Sequence, residues 1–566
     1  MTTSERLRGT PPREGGARPG LRPMAQVALD LGLDPQRIVP YGRGCAKVPA
    51  TLLPELERSS TSRGKLILVT SMTPTSHGEG KTVTSIGLAM AFHTLGYRST
   101  VCLRQPSLGP TLGLKGGGAG GGRATVEPSA EINLGFPGDA SAVASAHNLL
   151  SALLDNHLHH QLDPPLDPKR IDWPRTMDLD DRALRHLRIG MGAGPGSGPE
   201  REENFVITAA SEVMAVLGLA GDHQDLRERL GRILVGRLKG GGPFFARDLR
   251  AQGAMLALLR DAFQPNLVQT SEGSPAFVHT GPFANIAHGT ASLLSIRMAR
   301  ALSDVCLVET GFGSDLGAEK FMDLVSPLGH LPVEAAVIVV TLPALRSHGG
   351  GDPDRPLEPN LTAVRAGLPN LEKHLENVEK LGLSAVVALN RFPGDRPEEV
   401  REVARFCDDR GASFAESVAY EKGGSGALEL AERVLEATRK GRTGRPLLPP
   451  SLDAEEKLTV LAREIYGADG VDLSPEAKSD LDEVRAMGLG GLPVCVAKTQ
   501  LSLSDDPHVR GRPRGYRIAV RRVLPRTGAG YLVATTGQIS LMPGLPRLPA
   551  ALDVDLSDLG DITGVR

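Results

Sequence analysis

Cysteine is scarce in this sequence, which has only Cys45, Cys102, Cys306, Cys407 and Cys495 among its 566 residues. The five lie far apart, their number is odd, and no two of them form a C-x-x-C pair. A disulfide framework or a structural zinc site requires paired or closely spaced cysteines. The pattern therefore predicts reduced thiols in a cytoplasmic protein, without a zinc site.

The sequence also lacks long apolar runs and an excess of one charge. No run reaches the roughly 18 apolar residues that span a bilayer, and the Arg-, Pro- and Gly-rich start has no apolar core typical of a secretory signal. Residues 1–22 are therefore predicted to form a disordered tail. With 64 basic and 66 acidic residues, the net charge of −2 gives no electrostatic basis for binding nucleic acid or membranes.

Short apolar runs alternate with amphipathic helical patterns along much of the sequence. The runs occupy residues 66–69, 101–103, 305–308, 333–341 and 385–389, and a clear helical spacing covers residues 370–382. This alternation is typical of an α/β fold with a parallel sheet. Ligands of such folds collect at the carboxyl ends of the strands, where Arg104, Glu309 and Asn390 follow three of the runs.

Residues 73–82, Thr-Pro-Thr-Ser-His-Gly-Glu-Gly-Lys-Thr, follow the first run and precede a helical pattern. A strand, a glycine-containing turn and a helix form a phosphate cradle, because the N–H groups and dipole at the helix start favour an anion. Lys81 adds a cation, and Thr82 offers a hydroxyl to a phosphate-bound Mg²⁺. The match to G-x-x-x-x-G-K-[ST] is incomplete, since Thr75 replaces the first glycine. The predicted nucleotide-binding residues here are Thr75, Ser76, His77, Gly78, Glu79, Gly80, Lys81 and Thr82.

A second anion-binding element begins at Arg104, at the end of the second run. The planar guanidinium of arginine suits phosphate or carboxylate. The loop leads to Lys115 and the glycines up to Gly122, which let the backbone approach a ligand closely. A flexible surface loop is the alternative for this stretch taken alone.

Two further stretches, residues 279–289 and 309–320, are rich in glycine and in side chains able to bind ligands or transfer protons. His279 and His288 are nine residues apart, which does not match a helical metal pair. Glu309 and Asp315 either hold Mg²⁺ or orient a nucleotide, or they are helix caps or part of a solvated face.

Together these motifs resemble the formate–tetrahydrofolate ligase family, also called formyltetrahydrofolate synthetases. The shared stretches are residues 73–82, 102–110, 115–122, 178–187, 209–216, 309–320, 370–376, 465–470, 497–506 and 541–546. The resemblance implies the monofunctional form and a P-loop NTPase-like parallel core. It also implies a nucleotide and formyl-phosphate domain at 23–350, a second α/β domain with a ring site at 351–450, and a smaller C-terminal domain at 451–566.

Members of this family couple ATP cleavage to formylation of N10 of tetrahydrofolate through formyl phosphate. By position, Lys81 and Thr82 would bind the ATP phosphates with Mg²⁺, Arg104 would bind formyl phosphate, and Lys115 would line the same site. Asp139 would orient or deprotonate N10, with a helix N-cap as the alternative. The resemblance further implies a homotetramer with small-molecule substrates, and a monovalent cation is an additional expectation.

Phe392 and Tyr420 match positions where the family places two aromatic rings around a flat bound ring. Aromatic residues make up only 4% of the chain, so a ring at both positions favours stacking of a pterin or adenine. An ordinary core Phe and Tyr are the alternative. Asn390 would contact the edge of the bound ring.

The sequence departs from the family pattern around the expected site. Ser76-His77 replaces Pro-Ala, Gln105 replaces Glu, Arg123 replaces Tyr, Tyr420 replaces Trp, Pro343 replaces Arg, and Gly135 and Ser141 replace two histidines. Such histidines are able to shuttle protons or bind phosphate oxygens. The alternatives to an active ligase are therefore a weakened member that binds nucleotide or folate, and a P-loop ATPase acting on another small acid.

Overall fold

The computed structural model describes residues 21–60, 63–75, 78–113, 117–192, 198–352, 355–537 and 539–565. Three of the predicted site residues, Ser76, His77 and Lys115, lie outside these ranges. Most of the predicted N-terminal tail also lies outside them.

A twelve-stranded sheet organises the fold. Its parallel part contains β1 (Lys65–Ser71), β2 (Ser99–Leu103), β3 (Pro275–Val278), β4 (Val305–Glu309), β5 (Ala335–Val340), β6 (Ser384–Asn390) and β7 (Ser413–Ser417). These strands lie in the spatial order β3-β2-β4-β1-β5-β6-β7, and every neighbouring pair is parallel. The prediction of an α/β fold built on a parallel sheet is confirmed, whereas its assignment to the P-loop class remains a prediction.

Antiparallel strands extend this sheet beyond β3. The strand Asn266–Thr270 pairs with β3, with Ala46–Lys47 and with Ala124–Glu127. Ala46–Lys47 in turn pairs with Val39–Pro40, and Ala124–Glu127 pairs with Gly120–Gly121. Residues 39–47 and 120–127 are thereby placed beside the parallel strands.

Helices cover both faces of the sheet. Leu66 and Leu68 of β1 join one apolar core, while Ile67 and Val69 join the other, as expected from the two-residue period of a strand. The α-helices are Met24–Asp30, Leu53–Ser59, Lys81–Thr94, Leu108–Leu112, Ser129–Asn133, Asp139–His159, Glu212–Leu219, His223–Arg232, Gln252–Leu258, Leu293–Leu302, Ser326–Gly329, Leu342–His348, Leu361–Lys380, Pro397–Asp409, Ala419–Lys422, Leu428–Arg439, Ala454–Val460 and Pro475–Ala486. Burial of both faces explains why the strands are continuous apolar runs.

Shorter helical segments connect these elements. Ser314–Ala318, Phe321–Val325 and Leu461–Tyr466 are π-helical. The 3₁₀ turns are Pro35–Arg37, Ala50–Leu52, Arg182–Arg185, Thr208–Ala210, Gly423–Ala427 and Ala550–Leu552. Across the part of the chain that the structure describes, no helix combines the length and apolar character needed to cross a membrane.

Small sheets complete the fold. The two-stranded sheets pair Leu187–Ile189 with Arg201–Glu203, Arg175–Met177 with Phe205–Ile207, and Asp555–Leu556 with Ile562–Thr563. In a three-stranded sheet, the central strand Leu234–Leu238 pairs with Leu166–Ile171 and with Pro243–Phe245. A four-stranded sheet contains Val471–Leu473, Val494–Ala497, Ile518–Arg526 and Tyr531–Thr536. The four-stranded sheet has an apolar core of its own. The main sheet continues past residue 350, because β6 pairs with β5 and β7 pairs with β6. The domain boundaries proposed from the sequence remain a prediction.

Candidate active site

The candidate nucleotide loop joins β1 to the helix Lys81–Thr94, in the strand–turn–helix order predicted from the sequence. Gly78 and Gly80 have φ angles of +78° and +69°, which glycine adopts without steric strain. The N-cap of the helix is Gly80, which has no side chain with which to cap it. The first N–H groups of this helix are therefore oriented to bind an anion.

Glu79 stabilises the loop from within. Its side chain is buried, and Oε1 accepts hydrogen bonds from Thr75 N at 2.7 Å and Thr75 Oγ1 at 3.1 Å. Its Oε2 accepts a third from Thr341 Oγ1 at 2.5 Å. Thr75, in place of the first glycine of the motif, thus supplies a hydroxyl bond that glycine lacks, and Glu79 fastens the loop to the end of β5.

Asn390 at the end of β6 also supports the loop. Its Nδ2 donates to the backbone oxygen of Glu79 at 3.2 Å. Its Oδ1 is buried without a hydrogen-bond partner among the described residues. Asn390 therefore holds the loop with its amide nitrogen, while its amide oxygen is a buried acceptor without a partner among the described residues.

Gly80→Ala is expected to destabilise the protein more than Gly78→Ala. Both positions have positive φ, which costs a residue with a Cβ about 1–2 kcal/mol. A Cβ at Gly80 would additionally lie 2.3 Å from Asn390 Nδ2, whereas no described atom lies within 4 Å of the corresponding position at Gly78. We expect the crowding to add about 1–3 kcal/mol at Gly80, measured by urea denaturation of both variants. Equal losses from the two substitutions would contradict this packing.

Lys81 and Thr82 begin the helix that follows the loop. Lys81 Nζ donates to Ser71 Oγ at 3.3 Å, and Ser71 Oγ donates to the backbone oxygen of Phe312 at 3.1 Å. Both Lys81 and Thr82 are half-buried. The ammonium group therefore lies at the carboxyl end of β1, beside the start of the helix.

Arg104 follows β2 at the same edge of the sheet. Its side chain is 28% exposed, with Nη2 3.7 Å from Glu309 Oε1 and Nη1 3.5 Å from the backbone oxygen of Pro282. Glu309 ends β4, which lies between β2 and β1. The sheet thus places Arg104, Glu309 and the Lys81 loop at one carboxyl edge, as the sequence predicts.

Unpartnered buried polar atoms gather around Arg104. Within the described residues these atoms include Arg104 Nε, Gln105 Oε1, Thr280 Oγ1, both ring nitrogens of His288 and Glu309 Oε2. Buried polar groups nearly always have partners, so this concentration indicates ordered water or a polar ligand. Burial, with a smaller contribution from Arg104, lowers the pKa of His288 to about 3 and keeps its ring neutral. The glycine-rich stretch 279–289 was the only sequence signal for Thr280 and His288.

Asp315 is fully buried and therefore not part of a solvated face, while its role toward Mg²⁺ or a nucleotide remains a prediction. Its carboxylate lies 2.8 Å from Lys498 Nζ, and both side chains are fully buried. Across the described residues, no group of three His, Cys, Asp or Glu side chains is arranged to hold a metal ion.

Asp139 is the first residue of the helix Asp139–His159, and its N-cap is Gly138. Its buried carboxylate accepts from Lys47 Nζ at 2.6 Å and from Asn266 Nδ2 at 2.7 Å. Burial raises the pKa of Asp139, while Lys47 and Asn266 oppose that increase. The carboxylate therefore joins the N-terminal segment to the sheet.

The two positions where the sequence lacks the family histidines differ in structure. Gly135 has a φ of +92°, a region that residues with a Cβ rarely adopt. Ser141 is exposed on the first turn of the helix that begins at Asp139. The backbone at Gly135 is thus shaped for glycine.

Phe392 and Tyr420 follow β6 and β7, whose last residues, Asn390 and Ser417, are paired in register. Phe392 is half-buried and Tyr420 is 49% exposed. Among the described residues, the ring pairs in contact do not include these two. Their placement brings two aromatic side chains to the same edge of the sheet.

The glycine-rich stretch contacts Tyr420. The backbone oxygen of Tyr420 accepts from Arg123 N at 2.8 Å, and a Cβ on Gly122 would lie 2.0 Å from that oxygen. A Cβ on Gly121 would lie 3.2 Å from the tyrosine ring. Gly121 and Gly122 are therefore explained by close packing against Tyr420, which leaves no space for a larger residue.

Two cavities lie away from this edge. One, of about 290 Å³, adjoins Ser384 and Ala412 at the amino ends of β6 and β7, and the other, of about 270 Å³, lies between Trp173 and Arg526. The loop and side-chain geometry, with its unpartnered polar atoms, identifies the carboxyl edge as the candidate site, because ligands of parallel sheets bind there.

The fold and site define an α/β protein with an anion-binding strand–loop–helix unit at the carboxyl edge of a parallel sheet. A family model described as formate–tetrahydrofolate ligase matches residues 17–566. A protein named formate–tetrahydrofolate ligase from Thermus thermophilus is 51% identical over 545 residues, which cover 96% of this chain and 98% of that protein. Another of the same name, from Thermotoga petrophila, is 50% identical over 545 residues, which cover 96% of this chain and 100% of that protein. One from Myxococcus xanthus is 49% identical over 550 residues, covering 96% of this chain and 99% of its own. The chain belongs to the formate–tetrahydrofolate ligase family.

Proposed function

We propose that this protein ligates formate to tetrahydrofolate while cleaving ATP to ADP and phosphate. The observation that carries the proposal is the placement of Lys81 and Arg104 at one carboxyl edge of the sheet, after β1 and β2. Family membership, with about half of the residues identical over nearly the whole chain, supports this assignment.

The reaction proceeds in two transfers. A formate oxygen attacks the γ-phosphorus of ATP, the bond to ADP breaks, and formyl phosphate forms. N10 of tetrahydrofolate then attacks the formyl carbon, loses its proton, and expels phosphate. Because the reacting groups are oxyanions, the protein contributes chiefly charge neutralisation and positioning.

The cationic residues divide this work. Lys81 and the start of its helix bind the ATP phosphates, while the guanidinium of Arg104 binds formyl phosphate through paired N–H donors. Glu309, 3.7 Å from Arg104 Nη2, restricts the orientation of that guanidinium. Lys115 is proposed to line the same anion site, on the basis of sequence resemblance alone.

Mg²⁺ is proposed to accompany ATP at Thr82. This ion keeps several waters and phosphate oxygens and requires only one or two protein oxygens. The hydroxyl of Thr82, on the second residue of the helix after the loop, fits that need. When bound, the ion neutralises charge on the phosphates. A monovalent cation stays an expectation with no residues assigned to it.

A pterin or adenine ring is proposed to bind at Phe392 and Tyr420, with the buried acceptor Asn390 Oδ1 facing its edge. Asp139 is proposed to act near N10. Because Lys47 and Asn266 occupy its carboxylate oxygens, orientation of the site is favoured over proton abstraction. A cytoplasmic homotetramer and the P-loop class of the core remain proposals from the family resemblance.

An assay with purified protein tests the proposed function. Formation of 10-formyltetrahydrofolate is expected only when ATP, Mg²⁺, formate and tetrahydrofolate are all present, and omission of any substrate should abolish it. ATP and folate binding without product would instead indicate a weakened binding protein. ATP hydrolysis that does not respond to formate would indicate an ATPase acting on another small acid.

A further inference from the structure

Thr73 lies two residues after β1, where the candidate nucleotide loop begins, and it is fully buried. Its N–H donates to Asn370 Oδ1 at 3.3 Å, and its carbonyl oxygen accepts from His348 Nε2 at 2.9 Å. Its Oγ1 accepts from Asn370 Nδ2 at 2.9 Å and lies 2.9 Å from His374 Nε2. All polar atoms of Thr73 are therefore held by residues that follow β5 in the chain.

The hydrogen bonds fix the neutral tautomer of His348 and give each ring nitrogen of His374 a hydroxyl partner. Since a carbonyl only accepts, His348 carries its proton on Nε2, and its Nδ1 accepts from Gly511 N at 3.3 Å. Thr73 Oγ1 accepts from Asn370 Nδ2 and shares a second hydrogen bond with His374 Nε2, each at 2.9 Å. His374 Nδ1 shares a hydrogen bond with Ser314 Oγ at 2.7 Å, so one nitrogen of the neutral ring donates and the other accepts. Burial lowers the pKa of His374 to about 3, in agreement with a neutral ring.

His374 thus connects two loops at the candidate site. Thr73 follows β1, and Ser314 lies in the turn after the neighbouring strand β4. The ring packs closely against Gly313, where an added Cβ would lie 3.0 Å from His374 Cε1. The imidazole therefore fixes the spacing between Thr73, where the loop begins, and Ser314, where the π-helical segment begins.

We propose that His374 is a positioning residue for ATP. By holding Thr73 through Nε2 and Ser314 through Nδ1, it sets the loop whose N–H groups and Lys81 receive the phosphates. This inference rests on the proposed function, because it assigns ATP to the loop. The ring itself is fully buried behind Thr73 and makes no contact with substrate in this role.

Two conservative substitutions separate the two bonds of His374. In His374→Gln the terminal amide reaches the position of Nε2 and retains the contact with Thr73. In His374→Asn the shorter amide reaches the position of Nδ1 and retains Ser314, so Thr73 Oγ1 loses its hydrogen bond to residue 374. Loss of one buried hydrogen bond corresponds to about a tenfold change in an equilibrium constant. We expect His374→Asn to weaken ATP binding about tenfold and His374→Gln to have a much smaller effect.

ATP affinity is measured by calorimetry without formate or folate, and KM is measured separately for each of the three substrates. The expected result is a higher dissociation constant and KM for ATP in His374→Asn, with little change in kcat at saturating ATP or in KM for formate. Thr73→Val, which removes the hydroxyl partner of His374 Nε2 and keeps the volume of the side chain, is expected to weaken ATP binding in the same selective way. It provides a second test should His374→Asn not fold.

His147→Gln is the matched control. His147 is equally buried, bonds to Ser211 Oγ and the backbone oxygen of Pro174, and stacks on Trp173 at 4.1 Å. Its substitution should lower thermal stability without changing the KM for ATP. Native-like ATP affinity in His374→Asn, or equal loss for all three substrates, would overturn the inference. Native protein that does not bind ATP would overturn the proposed function itself.

Discussion

Lys81→Ala is expected to form 10-formyltetrahydrofolate about a thousandfold more slowly than the native protein. Lys81 Nζ lies 3.3 Å from Ser71 Oγ at the carboxyl end of β1, where the ATP phosphates are proposed to bind. Partial burial increases the effect of the lost charge, because a lower local dielectric strengthens Coulomb interactions. Initial rates at saturating formate and tetrahydrofolate, over a range of ATP concentrations, separate the change in kcat from the change in KM.

Lys65→Ala is the control for this prediction. Lys65 begins the same strand at its amino end, and its Nζ donates to Thr438 Oγ1 at 2.7 Å, away from the candidate site. Its loss should leave the catalytic rate near that of the native protein. A Lys81→Ala variant with native turnover would remove the loop from the proposed mechanism.

The site was predictable where it depends on local pattern. An apolar run followed by a glycine-containing turn and a helix predicts the Lys81 loop from neighbouring residues, and Arg104 and Glu309 follow from the rule for strand ends. The partners of these residues were not predictable in the same way. Lys47 lies 92 residues before Asp139, and Asn390 lies 311 residues after Glu79. Contacts at such separations leave no periodic signal in a single sequence.

Helix boundaries show a related difficulty. The spacing of apolar residues predicts a helix from Asn370 onward, whereas the structure begins it at Leu361. Pro369 lies inside this helix, although an interior proline normally breaks a helix because it lacks an N–H. The N-cap Asn360, whose side chain accepts from Ala363 N at 3.0 Å, is the local signal that marks the true start.

The second large effect is expected from the buried pair of Lys47 and Asp139. Lys47→Met keeps the length of the side chain but leaves the Asp139 carboxylate with Asn266 as its remaining partner. Removing one member of a buried ion pair typically costs about 3–5 kcal/mol of stability. We expect a loss of this size in the free energy of unfolding near neutral pH, measured by urea denaturation.

The loss should depend on pH in a defined direction. Burial already raises the pKa of Asp139, and Lys47 is the largest influence that lowers it, so the substitution raises this pKa further. A carboxyl group whose pKa is higher in the folded state binds its proton more tightly there. Its contribution to stability is fully present below the unfolded pKa of about 4 and is lost as pH rises through the folded value. The variant should therefore be closest to the native protein in acid and lose stability progressively toward alkaline pH.

Glu55→Gln is the control that tests whether the loss of stability in Lys47→Met arises from the burial of its ion pair. Glu55 pairs with Arg37 at 2.6 Å, but the two side chains are 53% and 41% exposed. Water solvates an exposed carboxylate whether or not its partner is present, so neutralising Glu55 should leave the free energy of unfolding almost unchanged. A Lys47→Met variant that resembles Glu55→Gln, or that is most destabilised in acid, would show that the Asp139 carboxylate does not depend on Lys47.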